Sequence, residues 1–185
     1  TKRTDHQTDA TTGVWFDGVG DSMAVVSHRK DIEATSTPFG CRVRIDDVQD
    51  LVFHNPDPIH FADGSYIFDG TSGLIRTTKE RTDFALFHGT HIQVEGISFS
   101  TSDADLGIGG SIIAGKPVSG EYFAPKLASI KISAASLSAK TAFYIDGAAS
   151  TTRRESGTLV IDLEVGQHHW ELTDTLPVPM APQIV

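Results

Sequence analysis

Eight histidines and twenty-four carboxylates hold most of the chemistry open to this 185-residue chain. The histidines are His6, His28, His54, His60, His88, His91, His168 and His169, and Cys41 is the only cysteine, so zinc sites of the thiolate type are excluded. His88-Gly89-Thr90-His91 is the densest pair. On a regular strand these two residues point to opposite faces, so they converge only if Gly89 bends the chain. We take His88 and His91 as candidate substrate-binding residues and assign no metal site. His54 and His60 flank Asn55-Pro56-Asp57-Pro58 and are expected to face each other across a hairpin as a packing pair. Carboxylates for acid–base work would be Asp63, Asp69, Asp83 or Glu95 on neighbouring strands. Asp63 and Asp69 each stand beside glycine, where a side chain caps a turn. The residue pattern therefore names no catalytic residue.

Other reactive arrangements are missing. No Gly-x-Ser-x-Gly elbow occurs, and Gly107-Ile108-Gly109-Gly110 lacks the Lys-Ser/Thr of a phosphate loop. Cys41, in Gly-Cys-Arg-Val-Arg-Ile, reads as a small buried strand residue, and Trp15 and Trp170 lie in apolar runs that suit a core. Arg153-Arg154 reads as a solvated hairpin tip. The net charge of −9 argues against nucleic acid, whose phosphates need a surplus of Lys and Arg. No apolar run approaches the length of a membrane helix.

The elements that must position these groups are strands. Runs of Val, Ile, Leu, Phe and Tyr alternate with turn residues at Asn55-Pro56-Asp57, Asp63-Gly64-Ser65, Asp69-Gly70, Ser72-Gly73 and His88-Gly89. The spacing predicts strands at 22–27, 32–37, 41–45, 51–54, 58–62, 65–68, 73–77, 83–88 and 91–100, then at 121–124, 128–133, 141–146, 157–163 and 168–173. The glycine-rich stretch 103–115 is a loop or a strand with close backbone approach, and Ser133–Lys140 is the one place for a helical turn. About a dozen short strands without a repeat point to an all-β fold, an antiparallel β-sandwich. The domain spans 13–175, preceded by a polar tail or partner-dependent strand at 1–12 and followed by a proline-rich strap at 176–185.

The phrases GDSMAVVSHRKD, DLVFHNPDPIHF, YIFDGTSGLIRTT, DFALFHGTHI and GQHHWELTDTLPVP follow one another over Val14 to Pro179. In that order they resemble the C-terminal β-sheet region of heparinase II/III-like polysaccharide lyases. The resemblance implies a β-sandwich that packs on an α/α toroid, with β-elimination of a uronic-acid polysaccharide in the cleft between them. It implies a secreted or periplasmic protein, an acidic polysaccharide as substrate, and a structural divalent metal in the parent enzyme but no cofactor in this chain. The chain has no toroid, so the catalytic tyrosine would lie on another chain or segment. The family's sheet-borne histidine and metal ligands match no position here. The alternative is a non-catalytic carbohydrate-binding or adhesive β-sandwich that acts through exposed aromatics.

Overall fold

The computed structural model describes residues 32–37 and 39–174. The tail at 1–12, the run containing Trp15, the strand at 22–27, His6, His28 and the strap at 176–185 lie outside them. The described chain forms fourteen strands, all paired antiparallel. They are β1 (Ile32–Thr37), β2 (Gly40–Ile45), β3 (Val48–Asp63), β4 (Tyr66–Thr77), β5 (Arg81–Val94), β6 (Ile97–Thr101) and β7 (Gly107–Ile113). Then come β8 (Val118–Ala124), β9 (Ala128–Ala134), β10 (Ala142–Ile145), β11 (Ala148–Ala149), β12 (Thr152–Glu155), β13 (Thr158–Leu163) and β14 (Gly166–Thr173).

One strand decides the layout. Residues 81–86 of β5 pair with β7, which leads on through β8, β14, β10 and β11. Residues 91–94 of the same strand pair with β6, which leads on through β9, β13 and β12. The sheet therefore forks along β5, while β1 to β4 continue unbroken on its other side. The two arms fold face to face over a shared apolar core, which is the sandwich. Across it, Phe99 of β6 meets Phe84 of β5 at 4.8 Å and Trp170 of β14 at 5.7 Å between ring centroids. Trp170 is fully buried, stacks on Phe143 and donates its indole N–H to the Gly109 carbonyl at 3.1 Å. It fits because Gly110 has no side chain: a Cβ there would stand 2.7 Å from the indole. This accounts for Gly110 as a strand residue under a bulky neighbour, whereas Gly115, with a φ of 73°, serves the turn after β7.

Several expected turns are instead irregular points inside long strands. The predicted pairs 51–54 with 58–62 and 65–68 with 73–77 merge into β3 and β4, and 83–88 joins the first part of the predicted 91–100 in β5, the rest turning back at Glu95-Gly96 to become β6. His54 and His60 consequently lie along one strand and do not face each other across a hairpin. Asp69-Gly70 and His88-Gly89 are not turns either, because Gly70 pairs with Gly89 in mid-sheet. A Cβ on Gly70 would come within 2.4 Å of the His88 carbonyl, and one on Gly89 within 2.5 Å of the Asp69 carbonyl. Close approach of two backbones, rather than a reversal of the chain, explains both glycines. Residues 135–140 are turns and irregular chain, with no helix. Arg153 and Arg154 lie within β12: Arg153 grips Asp162 with two hydrogen bonds, and Arg154 donates to the Thr141 carbonyl. Cys41 is fully buried, and burial, followed by the charge of Asp50, pushes its thiol pKa up. It is the inert strand residue expected.

Gly70→Ala should lower stability by about 2 kcal/mol through overpacking against backbone. Gly107→Ala should change it little, because the nearest atom to a Cβ there is 3.9 Å away. Urea denaturation of the two variants measures the contrast.

Candidate functional site

Where β5 changes partners, period-2 burial breaks down in three adjacent strands. Between His54 and Ile59, β3 advances five residues while β4 advances only two, from Ser72 to Gly70, so β3 carries three extra residues. The β4–β5 register shifts three times between Asp69 and Gly73, leaving Thr71, Phe87 and Thr90 unpaired. Bulges of this kind re-aim side chains and end pairing. Here they line up across the sheet and open a cleft of about 510 Å³, lined by Pro58, Ile59, His60, Asp69, Thr71, His88, Thr90 and Asp105 among others. The loop 102–106 forms its far wall, held by Gly89 N–H donating to the Ala104 carbonyl at 3.1 Å and by the fully buried Leu106.

Asp69 is the centre of the site. Its Oδ1 lies 2.5 Å from His60 Nδ1 and its Oδ2 2.9 Å from His91 Nδ1. His91 Nε2 is in turn 2.8 Å from Ser98 Oγ of β6. Partial burial alone would raise the Asp69 pKa, but hydrogen bonds and charge from His60 and His91 outweigh it and hold the carboxyl below its ordinary value. An ionised carboxylate only accepts hydrogen bonds, so each histidine presents Nδ1–H to it. In the neutral tautomer the lone pair is then on Nε2. For His91 that lone pair receives the Ser98 hydroxyl, which ties β5 to β6. His60 is 69% exposed, and its Nε2 is the nitrogen available to a visitor in the cleft. A carboxylate that orients an imidazole in this way is the arrangement of a general base.

The two candidates from the sequence therefore separate. His88 lines the cleft, with Nδ1 4.0 Å from Asp105 Oδ1. His91 lies behind it as the buried half of the Asp69 cluster, 24% exposed, and does not join His88. A register shift beside Gly89 leaves Thr90 unpaired, and the two imidazoles meet different carboxylates. His60 and Asp69 were missed as a functional pair because Asp69 reads as a turn cap. Reflecting the chain about the Gly64-Ser65 turn places His60 opposite Asp69, and that register was available from the turn alone. Asp63 pairs with Arg42, Asp83 accepts from Arg81 and Ser111, and Glu95 accepts from Tyr66 and Thr82. None of these three lines the cleft. No group of three His, Cys, Asp or Glu poised to hold a metal occurs among the described residues.

A second imidazole–carboxylate pair has a different role. His168 Nδ1 bonds Asp146 Oδ2 at 2.8 Å, and Asp146 Oδ1 accepts the His169 N–H at 2.9 Å. Asp146 and Gly147 both have positive φ, 50° and 80°, in the two-residue turn between β10 and β11. The pair locks that turn onto β14. The Asp146 hydrogen bond, with the Val165 carbonyl, raises the His168 pKa, and the His168 bond lowers that of Asp146.

Compared with known proteins, the chain matches no family model and no curated protein sequence.

A carboxyl held low in the folded state stabilises above its unfolded value and loses that contribution as pH falls. Asp69→Asn should therefore lower Tm at neutral pH, with the gap to the unchanged chain closing below about pH 4. A raised histidine works in the opposite sense, contributing fully below its unfolded value and losing it as pH rises through the folded one. His168→Gln should lower Tm most near pH 5 to 6, and the two melting curves should converge as the medium turns alkaline.

Proposed function

We propose that this chain is the β-sandwich part of a heparinase II/III-like polysaccharide lyase and that its forked-sheet cleft supplies a proton-transfer wall. The substrate in this reading is a uronic-acid polysaccharide cleaved by β-elimination. His60 Nε2 takes the proton from C5 of the uronate, the bond from C4 to the glycosidic oxygen breaks, and an unsaturated uronate remains. Asp69 keeps the imidazole oriented and balances the charge it gains. The observation that supports this reading is the Asp69 carboxylate shared by His60 and His91, with the exposed ring of His60 at a cleft mouth.

The reaction needs two further groups: a cation or a hydrogen-bond donor to neutralise the uronate carboxylate, and an acid for the leaving oxygen. No Lys or Arg lines the cleft among the described residues. Both groups are assigned to the helical toroid, on a partner chain or another segment of the parent polypeptide, which would close over the wall.

The test is to assay this chain alone and together with its toroid, following the absorbance of the unsaturated product. The chain alone should be inactive. In the assembled enzyme, His60→Ala should lower kcat by about 10² to 10⁴-fold with little change in KM. Cleavage by the chain alone would sink the division of labour, and full activity of the variant would remove His60 from the mechanism.

A further inference from the structure

The outer face of the long arm carries a second concavity, separate from the histidine cleft. Leu86 pairs with Ile108 and Gly107 with Phe123, so Phe87, Gly107 and Phe123 come at neighbouring positions on β5, β7 and β8. Phe87 and Phe123 are 53% and 54% exposed, two of the few large apolar side chains left in solvent among the described residues. Phe87 has no partner on β4 and stands on the outer face with Asp83 and Ala85, as alternation along β5 requires. Between the rings lies a trough of about 520 Å³ floored by Ala85, Gly107 and Gly109. Two strand spacings separate the two phenylalanines, about 10 Å between backbones.

The rim of the trough is polar. On the Phe123 side, Gln167 donates to Glu121 at 2.9 Å, leaving the other Glu121 oxygen and the Gln167 carbonyl toward solvent. At the far end Asp83 is fixed by Arg81 and by Ser111 Oγ, and Arg76 grips Asp50 with two hydrogen bonds.

These features select the occupant. A helix with its side chains is about 10–12 Å across and would not pass between the rings. An extended peptide would bring unpaired amides to a face where β5, β7 and β8 already spend theirs on one another. Nucleic acid would meet Glu121 and Asp83 in a chain of net charge −9. A pyranose ring is flat, has apolar C–H faces suited to stacking on phenyl rings, and carries its own hydroxyls to Glu121 and Gln167. An acidic sugar would find both arginines already committed to carboxylates. We propose that the trough is a binding site for a neutral glycan, with one pyranose ring seated between Phe87 and Phe123 over Gly107. It does not rest on the role given to His60.

Isothermal titration calorimetry of the full chain with neutral β-linked gluco- and manno-tetrasaccharides, and with a uronate tetrasaccharide, tests this. A neutral member should bind, and Phe123→Ala should weaken it at least about tenfold. Gly107→Leu should abolish binding while leaving Tm near that of the unchanged chain, since its side chain projects into open trough. His60→Ala should bind as the unchanged chain does. Absence of binding by any neutral member, binding of the uronate alone, or undiminished binding by Gly107→Leu each overturns the proposal.

Discussion

The structure depends on the contact of Gly70 with Gly89. Two backbones meet there with no side chain between them, at the point where β5 leaves one arm of the sandwich for the other. Because neither residue has a Cβ, the strands stay bonded through a stretch where register changes three times. Without that closeness β4 and β5 would separate at the bulges, and β1 to β4 would lose their hold on the middle of β5. The cleft and the approach of loop 102–106 follow from the same local geometry.

The all-β antiparallel character was plain in the residues, since alternation of apolar and polar positions survives in most strands. What misled was punctuation. Gly beside Asp, Ser or His is the usual mark of a reversal, and at Gly64 it is one, with φ of 59°; Gly96, beside Glu95 inside the strand expected over 91–100, is a reversal too, with φ of 76°. At Gly70, Gly73 and Gly89 the same residue permits close packing within a strand, and composition alone does not separate the two uses. Tertiary pairing decides, and it links residues far apart in the chain. The buried indole of Trp170 was legible from its apolar run, whereas the glycines beneath it made sense only once β7 and β8 were seen beside β14.

The site was half legible. His88 and His91 were found by density, but the carboxylates they meet, Asp105 and Asp69, are set by tertiary pairing. His60 and Asp69 are a cross-strand pair set by the Gly64-Ser65 turn, hidden because a turn role for Asp69 was the simpler reading. Histidine meets carboxylate at several places among the described residues, and the surroundings set the use: at Asp146 the pair fastens a tight turn, while at Asp69 it borders a cavity.

Strand β14 lies between β8 and β10, although more than forty residues of chain separate it from β8. During synthesis the long arm therefore exists as an unfinished sheet, with one side of β8 unpaired and the Phe84–Phe99 core lacking its indole, until residues 166–173 emerge. Closure of the sandwich is a late and non-local event, of the kind that slows folding and exposes strand edges in the meantime. The unfinished sheet would offer an open β edge until then, whereas among the described residues the two arms of the finished fold end in the short strands β11 and β12.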